Sequence, residues 1–278
     1  MRTQQEKRII PLQALTVFQA IDMGLLTTRT HFTAIYKVIL PFGLITCLVV
    51  YLMNHYFDML TMTVYPMILL QLGAISELLI RKAVQSDWII PAAITPHGKK
   101  ALASETTAQL VLKNLGRQLL LMLSFVLLLI PGLLYFRKLM FAPERKYLDN
   151  PESKIQNRVW GEIKKKEMMN LEGNVLLLLC FWIFLSLLCF LFIDLSCTLL
   201  FSYPIFLQRF LYEAQLFYLL NYDPYVMVTW TAILFFIYPP IRFAWFFSYI
   251  SLRVQSDCWD ISTSINREAE RLKLSMQD

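Results

Sequence analysis

Four ionisable residues lie within long apolar stretches of this 278-residue chain: Glu77, Asp194, Glu213 and Arg242. A charged group in apolar surroundings is costly, so such residues are candidates for ion pairs, proton relays or substrate sites. Each also has a structural explanation, in which the side chain pairs within the fold or extends its charged end to a polar boundary. Their relative depths must be known before any chemistry can be assigned.

Depth along the apolar stretches separates these residues. Asp194 lies roughly 30 Å from the start of its stretch at about 1.5 Å per residue, and Arg242 lies roughly 25 Å along the returning one. These two residues should therefore lie near opposite ends, whereas Glu77 lies at the depth of Arg242. We expect Glu77 and Arg242 either to form a buried ion pair that lines a cavity or to serve structure alone.

The residues that usually carry catalysis or bind metals form no recognisable pattern. None of the three histidines has a carboxylate or a second histidine at helical spacing, and none of the five cysteines forms a CxxC pair. The sequence also lacks GxSxG, HExxH and phosphate-binding loop patterns. It therefore predicts no cofactor and no metal, and it favours a non-enzymatic protein.

The composition indicates a membrane protein. Hydrophobic residues make up 57% of the chain and charged residues only 17%, against about a quarter charged in a soluble domain. The apolar residues form runs, and about 20 such residues span the ~30 Å hydrocarbon core of a bilayer. We predict an all-α polytopic helix bundle in one domain, 1–278. It comprises an interfacial N-terminal helix in 1–33, the bundle in 34–252 and a cytoplasmic tail in 253–278.

Six apolar runs are candidate membrane segments: 34–53, 59–80, 118–136, 174–200, 203–222 and 225–250. Pro131 and Gly132 break the third run, because proline interrupts the backbone hydrogen bonds of a helix. The fifth run carries Gln208, Arg209 and Glu213, which suits an interfacial or protein-buried helix. The bundle therefore has four to six spanning helices, depending on how 118–143 and 203–222 are placed.

Ahead of the first run, apolar residues recur at steps of three and four: Leu12, Leu15, Phe18, Ile21 and Leu25. This period is that of a helix with one apolar face. We expect the helix to lie in the inner membrane interface before the first span.

The basic residues indicate the orientation of the chain. If four runs span and the Pro131-Gly132 run dips in and returns, 25 of the 26 Lys and Arg residues lie on one side. If all six runs span, the nine basic residues of 137–173 lie outside. Basic residues near span ends prefer the cytoplasm, which favours four spans. Both topologies place the two termini in the cytoplasm.

Two segments of the chain are distinctive, PIRFAWFFSYISLRVQSDCWDI in 240–261 and LLLIPGLLYFRKLMFAPE in 127–144. They resemble a group of uncharacterised bacterial inner-membrane proteins and, more distantly, the membrane domain of glycerophosphodiester phosphodiesterases, whose catalytic domain has no counterpart here. The resemblance implies a multi-helix inner-membrane protein and no reaction. The chain departs from the group at Ser251, where the group has an acidic residue.

The residues of the later segment also suit a juxtamembrane anchor on physical grounds. Tyr249 is expected at the depth of the membrane interface, where aromatic side chains are enriched. Arg253 and Asp257 have the spacing of a helical ion pair, and Trp259 can fold back onto the interface.

Together these observations predict an integral protein of the bacterial inner membrane. We expect a non-enzymatic scaffold or accessory subunit whose partners are the lipid bilayer and other envelope membrane proteins. Nucleic acid is not expected, because the basic blocks behind the net charge of +6 flank the spans. The alternative is a transporter or lipid-handling protein that uses the broken third helix and the charges near Glu77 and Arg242.

Overall fold

The computed structural model describes residues 15–57, 61–86, 106–127, 136, 139, 141–148, 156–213, 219 and 223–257. Within them the chain forms eight helices and no strand: α1 Val17–Thr30, α2 Phe32–Phe57, α3 Thr61–Gln85, α4 Thr107–Leu127, α5 Ala142–Leu148, α6 Gln156–Phe201, α7 Leu207–Glu213 and α8 Pro224–Asp257. The predicted all-helical fold is thus confirmed for this part of the chain. Pro131 and Gly132 lie outside the described residues.

Three of the described helices are long and apolar enough to cross a bilayer: Phe32–Tyr56, Asn170–Phe201 and Pro224–Leu252. On the first two of these helices many large apolar side chains point outward, as Leu44 on α2 and Phe192 on α6 do with 62% and 71% of their surface exposed. Polar residues such as Thr46 and Ser186 are buried instead. This inside-out distribution is that of a protein whose outer surface meets lipid.

Helix α8 is the centre of the bundle. Residues 241–250 are buried at every position, because α1, α2, α3 and α6 all pack against α8. The helix begins at Pro224, whose missing N–H is not needed in the first turn. Asp223 caps this turn, and one of its carboxylate oxygens accepts hydrogen bonds from the N–H groups of Tyr225 and Val226.

The proline pair Pro239-Pro240 lies inside α8, where it deprives carbonyl groups one turn earlier of their normal donors. The carbonyl of Phe236, four residues before Pro240, instead accepts a hydrogen bond of 2.6 Å from the Tyr36 hydroxyl on α2. Within an apolar bundle a free carbonyl is costly, so this bond makes the proline tolerable. It also fixes α2 against the middle of α8.

Helix α1 runs antiparallel to the second half of α8. At one end, the Ser251 hydroxyl donates to the Leu15 carbonyl at 3.0 Å and accepts from the Leu15 N–H at 2.8 Å. Further along, Gly24 lies directly on the backbone of α8, where an added β-carbon would be 2.8 Å from the Ala244 nitrogen and would overlap the Pro240 carbonyl. Glycine permits this approach, as in close helix pairs within membranes.

The apolar face predicted for α1 is divided between two environments. Ile21 is buried against α8 together with Ala20 and Gly24, whereas Phe18 and Leu25 are 75% and 48% exposed. The helix therefore has a small-residue face that packs and a large apolar face that points outward. Its N-terminus carries the capping pair Thr16–Gln19, which local sequence alone specifies.

The two ends of the bundle can be distinguished by their contacts. We call the end with Leu15 and Ser251 the termini end. The opposite end, the loop end, brings Tyr51 and Tyr203 each within 6.4 Å of the Tyr225 ring. The beginning and the end of the described chain thus lie at the same end of the bundle.

Substituting Gly24→Ala should lower the melting temperature of the purified protein. The new methyl group must push α1 away from α8, and such overpacking costs about 1–3 kcal/mol. Thermal unfolding in detergent, followed by tryptophan fluorescence, measures the change. The matched control is Gly116→Ala on α4, where nothing lies within 4 Å of the added carbon. This control should melt at or above the wild-type temperature, and equal melting of both variants would contradict the α1–α8 contact.

Candidate functional site

Charged residues from four helices meet at one level of the bundle, toward the termini end. Helix α8 contributes Arg242, α3 contributes Glu77, α4 contributes Arg117, and the short α5 contributes Glu144 and Lys146. We call these five residues the ion-pair layer. Their contacts define two neighbouring clusters of different exposure.

The first cluster is the ion pair of Arg242 and Glu144. Arg242 Nη2 lies 2.6 Å from Glu144 Oε1, and the two side chains are only 1% and 0% exposed. Arg242 Nε donates to the Ser76 hydroxyl on α3, and its guanidinium lies 5.5 Å from the centre of the Trp245 ring. One cation therefore joins α3, α5 and α8.

The second cluster surrounds Glu77. Lys146 Nζ lies 2.8 Å from Glu77 Oε1, and Arg117 Nη1 lies 3.8 Å from Glu77 Oε2. The carboxylate side chain is 4% exposed, whereas those of Arg117 and Lys146 are 35% and 17% exposed. A buried acid thus holds two cations that reach toward the surface.

The predicted ion pair between Glu77 and Arg242 is not formed, because each residue has another partner. The depth estimate was nevertheless correct, since Arg242 binds Ser76, the residue next to Glu77. Neither Glu144 nor Lys146 was a predicted partner, because the segment 137–173 has the composition of a charged loop. The missed signal is an acidic residue followed two positions later by lysine, directly after an apolar run.

Within the layer, Glu144 and Arg242 form a pair of opposite charges. Burial raises the pKa of the Glu144 carboxyl above its ordinary value, and the nearby Arg242 guanidinium opposes this rise. Within the described residues, Glu144 Oε2, Arg242 Nη1 and Trp245 Nε1 have no hydrogen-bond partner. The pair therefore bears a desolvation cost that its attraction only partly offsets.

At the loop end, two aspartates accept hydrogen bonds or form ion pairs with neighbouring segments. Asp194 is 1% exposed, and its carboxylate accepts hydrogen bonds of 2.8–2.9 Å from the N–H groups of Ile205, Phe206 and Leu207. It thereby caps α7, which follows a turn at Ser202 with a positive φ of 53°. Arg209 on α7 forms an ion pair with Asp223 at the start of α8. Asp194 thus serves structure and, as its depth predicted, lies far from Arg242.

The remaining candidate residues are placed only in part. Tyr249, predicted as an interfacial anchor, is 4% exposed and stacks on Phe141 at 5.3 Å, because α5 covers this part of α8. The side chains of Glu213, Arg253 and Asp257 lie outside the description, although their backbone is helical. Trp259 lies beyond the described residues.

No enzyme-like arrangement occurs in the ion-pair layer. Its carboxylates each bind a cation, and none of the five residues is a nucleophile held by a base. Among the residues described, no three of His, Cys, Asp and Glu are grouped so that they could hold a metal ion. At the start of α2, burial lowers the pKa of His31 below its ordinary value, which favours a neutral ring.

Comparison with known proteins finds no matching family model, no matching curated protein and no matching solved structure. Function must therefore be argued from the chain itself.

Replacing only one member of the Arg242–Glu144 pair should destabilise the protein strongly. Glu144→Met or Arg242→Met leaves a buried charge uncompensated, at a cost of about 3–5 kcal/mol. The double variant, with both residues replaced by methionine, should recover most of the loss because no charge remains. Thermal unfolding in detergent of all four proteins gives the coupling energy.

Arg29→Met, which removes an exposed cation on α1, is the control and should melt close to wild type. Independent, additive effects of the two buried substitutions would contradict the pairing.

Proposed function

We propose that the chain is an inner-membrane helix-bundle protein with a non-enzymatic role as a scaffold or accessory subunit. The observation that carries this proposal is the burial of the Arg242–Glu144 pair, with side chains 1% and 0% exposed. A transport or catalytic charge must meet its substrate, whereas these two charges meet each other. Their placement suits an ion pair that holds neighbouring helices together.

The alternative, a transporter or lipid-handling protein built on Glu77 and Arg242, requires both residues to face one path. Instead, Glu77 binds Lys146 and Arg117, while Arg242 binds Glu144 and Ser76. The two charges at this level are thus engaged separately, which favours the scaffold.

We further propose that α2, α3, α6 and α8 span the membrane and that the segment between α4 and α5 returns to the side it leaves. Arg117 and Lys146 both contact Glu77, so the chain departs from this level and comes back to it. Divided equally between an outward and a return path at the helical rise of about 1.5 Å per residue, a stretch as long as 118–145 would reach roughly 20 Å. That is short of the ~30 Å hydrocarbon core.

The basic residues support the same topology and give its orientation. A returning segment keeps residues 137–173 on the side of both termini, so that 25 of the 26 basic residues share one side. This side is then the cytoplasm. The contact between Leu15 and Ser251 agrees with two termini on one side.

Cysteine labelling tests this topology. In a cysteine-free background, Asn157→Cys should react with a membrane-impermeant maleimide only in inverted vesicles, because residue 157 is cytoplasmic. Tyr203→Cys at the loop end, where the native side chain is 51% exposed, is the matched control and should react in intact spheroplasts. Labelling of the residue 157 cysteine in intact spheroplasts would overturn the four-span topology.

Crosslinking with mass spectrometry in native membranes tests the scaffold role. We expect reproducible crosslinks from outward-facing positions to a small set of other membrane proteins, in amounts unrelated to the abundance of those proteins. The variant with both Glu144 and Arg242 replaced by methionine should keep these crosslinks, because the pair only holds helices together.

Two results would contradict the scaffold. One is a crosslink pattern that follows protein abundance alone. The other is a stably folded double variant that loses every partner crosslink, since the buried charges would then act in function directly.

A further inference from the structure

Three tyrosines from separate parts of the chain meet at the loop end. Tyr51 lies near the end of α2, Tyr203 follows α6, and Tyr225 lies in the first turn of α8. The rings of Tyr51 and Tyr203 each lie 6.4 Å from the ring of Tyr225, at interplanar angles of 64° and 81°. Tyr203 and Tyr225 are 51% and 52% exposed, so a ligand can reach both rings. We call these three residues the aromatic corner.

Steeply inclined rings at this separation suit a cation. An ammonium group is attracted to the face of an aromatic ring within about 6 Å of the ring centre. A cation that lies about 4.5 Å from each of two perpendicular rings requires ring centres roughly 6.4 Å apart. His55, one turn after Tyr51 on α2, stacks on the Tyr51 ring at 5.4 Å and supports it. The aromatic corner therefore has the spacing of an ammonium site.

Asn54 is a buried amide on the same helix as Tyr51. It is 3% exposed, and in the part of the chain that the structure describes neither its Nδ2 nor its Oδ1 has a hydrogen-bond partner. An unpaired buried amide is costly, so a ligand that pairs with it gains affinity. Because Asn54 follows Tyr51 by three residues, the two side chains are neighbours on one face of α2. An ammonium held by Tyr51 can therefore donate to Asn54 Oδ1.

The sequence around the aromatic corner is acidic. The stretches 51–60 and 194–225 contain four Asp and Glu residues and a single basic residue, Arg209. Arg209 already forms an ion pair with Asp223. An excess of acidic residues favours a cationic partner, in contrast to the basic stretches that flank the other end of the bundle.

An apolar surface adjoins the aromatic corner. Leu52, next to Tyr51, is 40% exposed, and Phe201, two residues before Tyr203, is 74% exposed. A soluble ammonium compound gains nothing from such a surface, whereas the acyl chains of a phospholipid bury it. The surroundings therefore favour an ammonium group that belongs to a lipid head group.

We propose that Tyr51, Tyr203 and Tyr225 bind the ammonium group of a zwitterionic phospholipid, to which Asn54 adds a hydrogen bond. A primary ammonium has N–H groups that can donate to the Asn54 carbonyl oxygen, whereas a trimethylammonium has none. The site therefore selects an ethanolamine head group over a choline head group. This binding does not depend on the scaffold role, and either proposal can fail alone.

Lipid retention by the full-length protein tests the proposal. The purified protein is incubated in detergent with equal amounts of phosphatidylethanolamine, phosphatidylcholine and phosphatidylglycerol, and native mass spectrometry counts the lipids that remain bound. Tyr203→Leu and Tyr225→Leu should each lower retention of phosphatidylethanolamine about fivefold, because one cation–π contact is lost. Asn54→Leu should reduce phosphatidylethanolamine to the level of phosphatidylcholine, since only the primary ammonium uses that hydrogen bond. Retention of phosphatidylglycerol, which has no ammonium group, should not change in any variant.

The controls separate the aromatic corner from a general belt of aromatic residues at the membrane interface. Tyr56→Leu removes a tyrosine of α2 that is 69% exposed and lies outside the corner, and it should leave retention of all three lipids unchanged. Tyr225→Phe keeps the ring and should retain phosphatidylethanolamine close to the wild-type level. An equal loss in Tyr56→Leu would show a belt only and overturn the site. An equal loss of phosphatidylglycerol in Tyr225→Leu would trace the effect to the fold and overturn it as well.

Free ethanolamine distinguishes the two sources of the ammonium group. At millimolar concentration it should not displace phosphatidylethanolamine, because it lacks the acyl chains that meet Leu52 and Phe201. Complete displacement would show a site for a soluble ammonium compound and overturn the lipid assignment. Equal retention of phosphatidylethanolamine by wild type and by the variant with both Tyr203 and Tyr225 replaced by leucine would overturn the site itself.

Discussion

The structure depends on neutralising one charge, that of Arg242 in the most buried part of α8. An unpaired guanidinium there would cost about 3–5 kcal/mol, and Glu144 offsets this cost from 2.6 Å away. Because Glu144 belongs to the short helix α5, the pair brings α5 against the core. Phe141 then packs on Trp245 and Lys146 reaches Glu77. The position of α5 against the core thus follows from the need to neutralise Arg242 on α8.

A second constraint acts on the backbone of α8. Its proline pair lacks two N–H donors within the helix, and the Tyr36 hydroxyl from α2 donates to the carbonyl of Phe236 in their place. On the other side, Gly24 allows α1 to lie on the same region without a side chain between the backbones. The part of α8 that carries the proline pair is therefore held by both α1 and α2.

The sequence predicted an all-helical fold and the common level of Glu77 and Arg242, because these follow from local composition and a fixed rise per residue. It could not predict the partners. Depth along a helix leaves the rotation about its axis unknown, and rotation decides which side chains face each other. Glu144 escaped notice for a further reason, since its segment has the composition of a loop until tertiary contacts bury it.

The two ends of the bundle use opposite chemistry, and helix polarity explains the difference. At the loop end, α7 and α8 begin, so free N–H groups bind Asp194 and Asp223. Toward the termini end α3 finishes with Arg81 and Lys82, where cations suit the last carbonyls of a helix. Preference of basic residues for the cytoplasm would select the same distribution. Helix capping and the preference of basic residues for the cytoplasm therefore favour the same charge pattern.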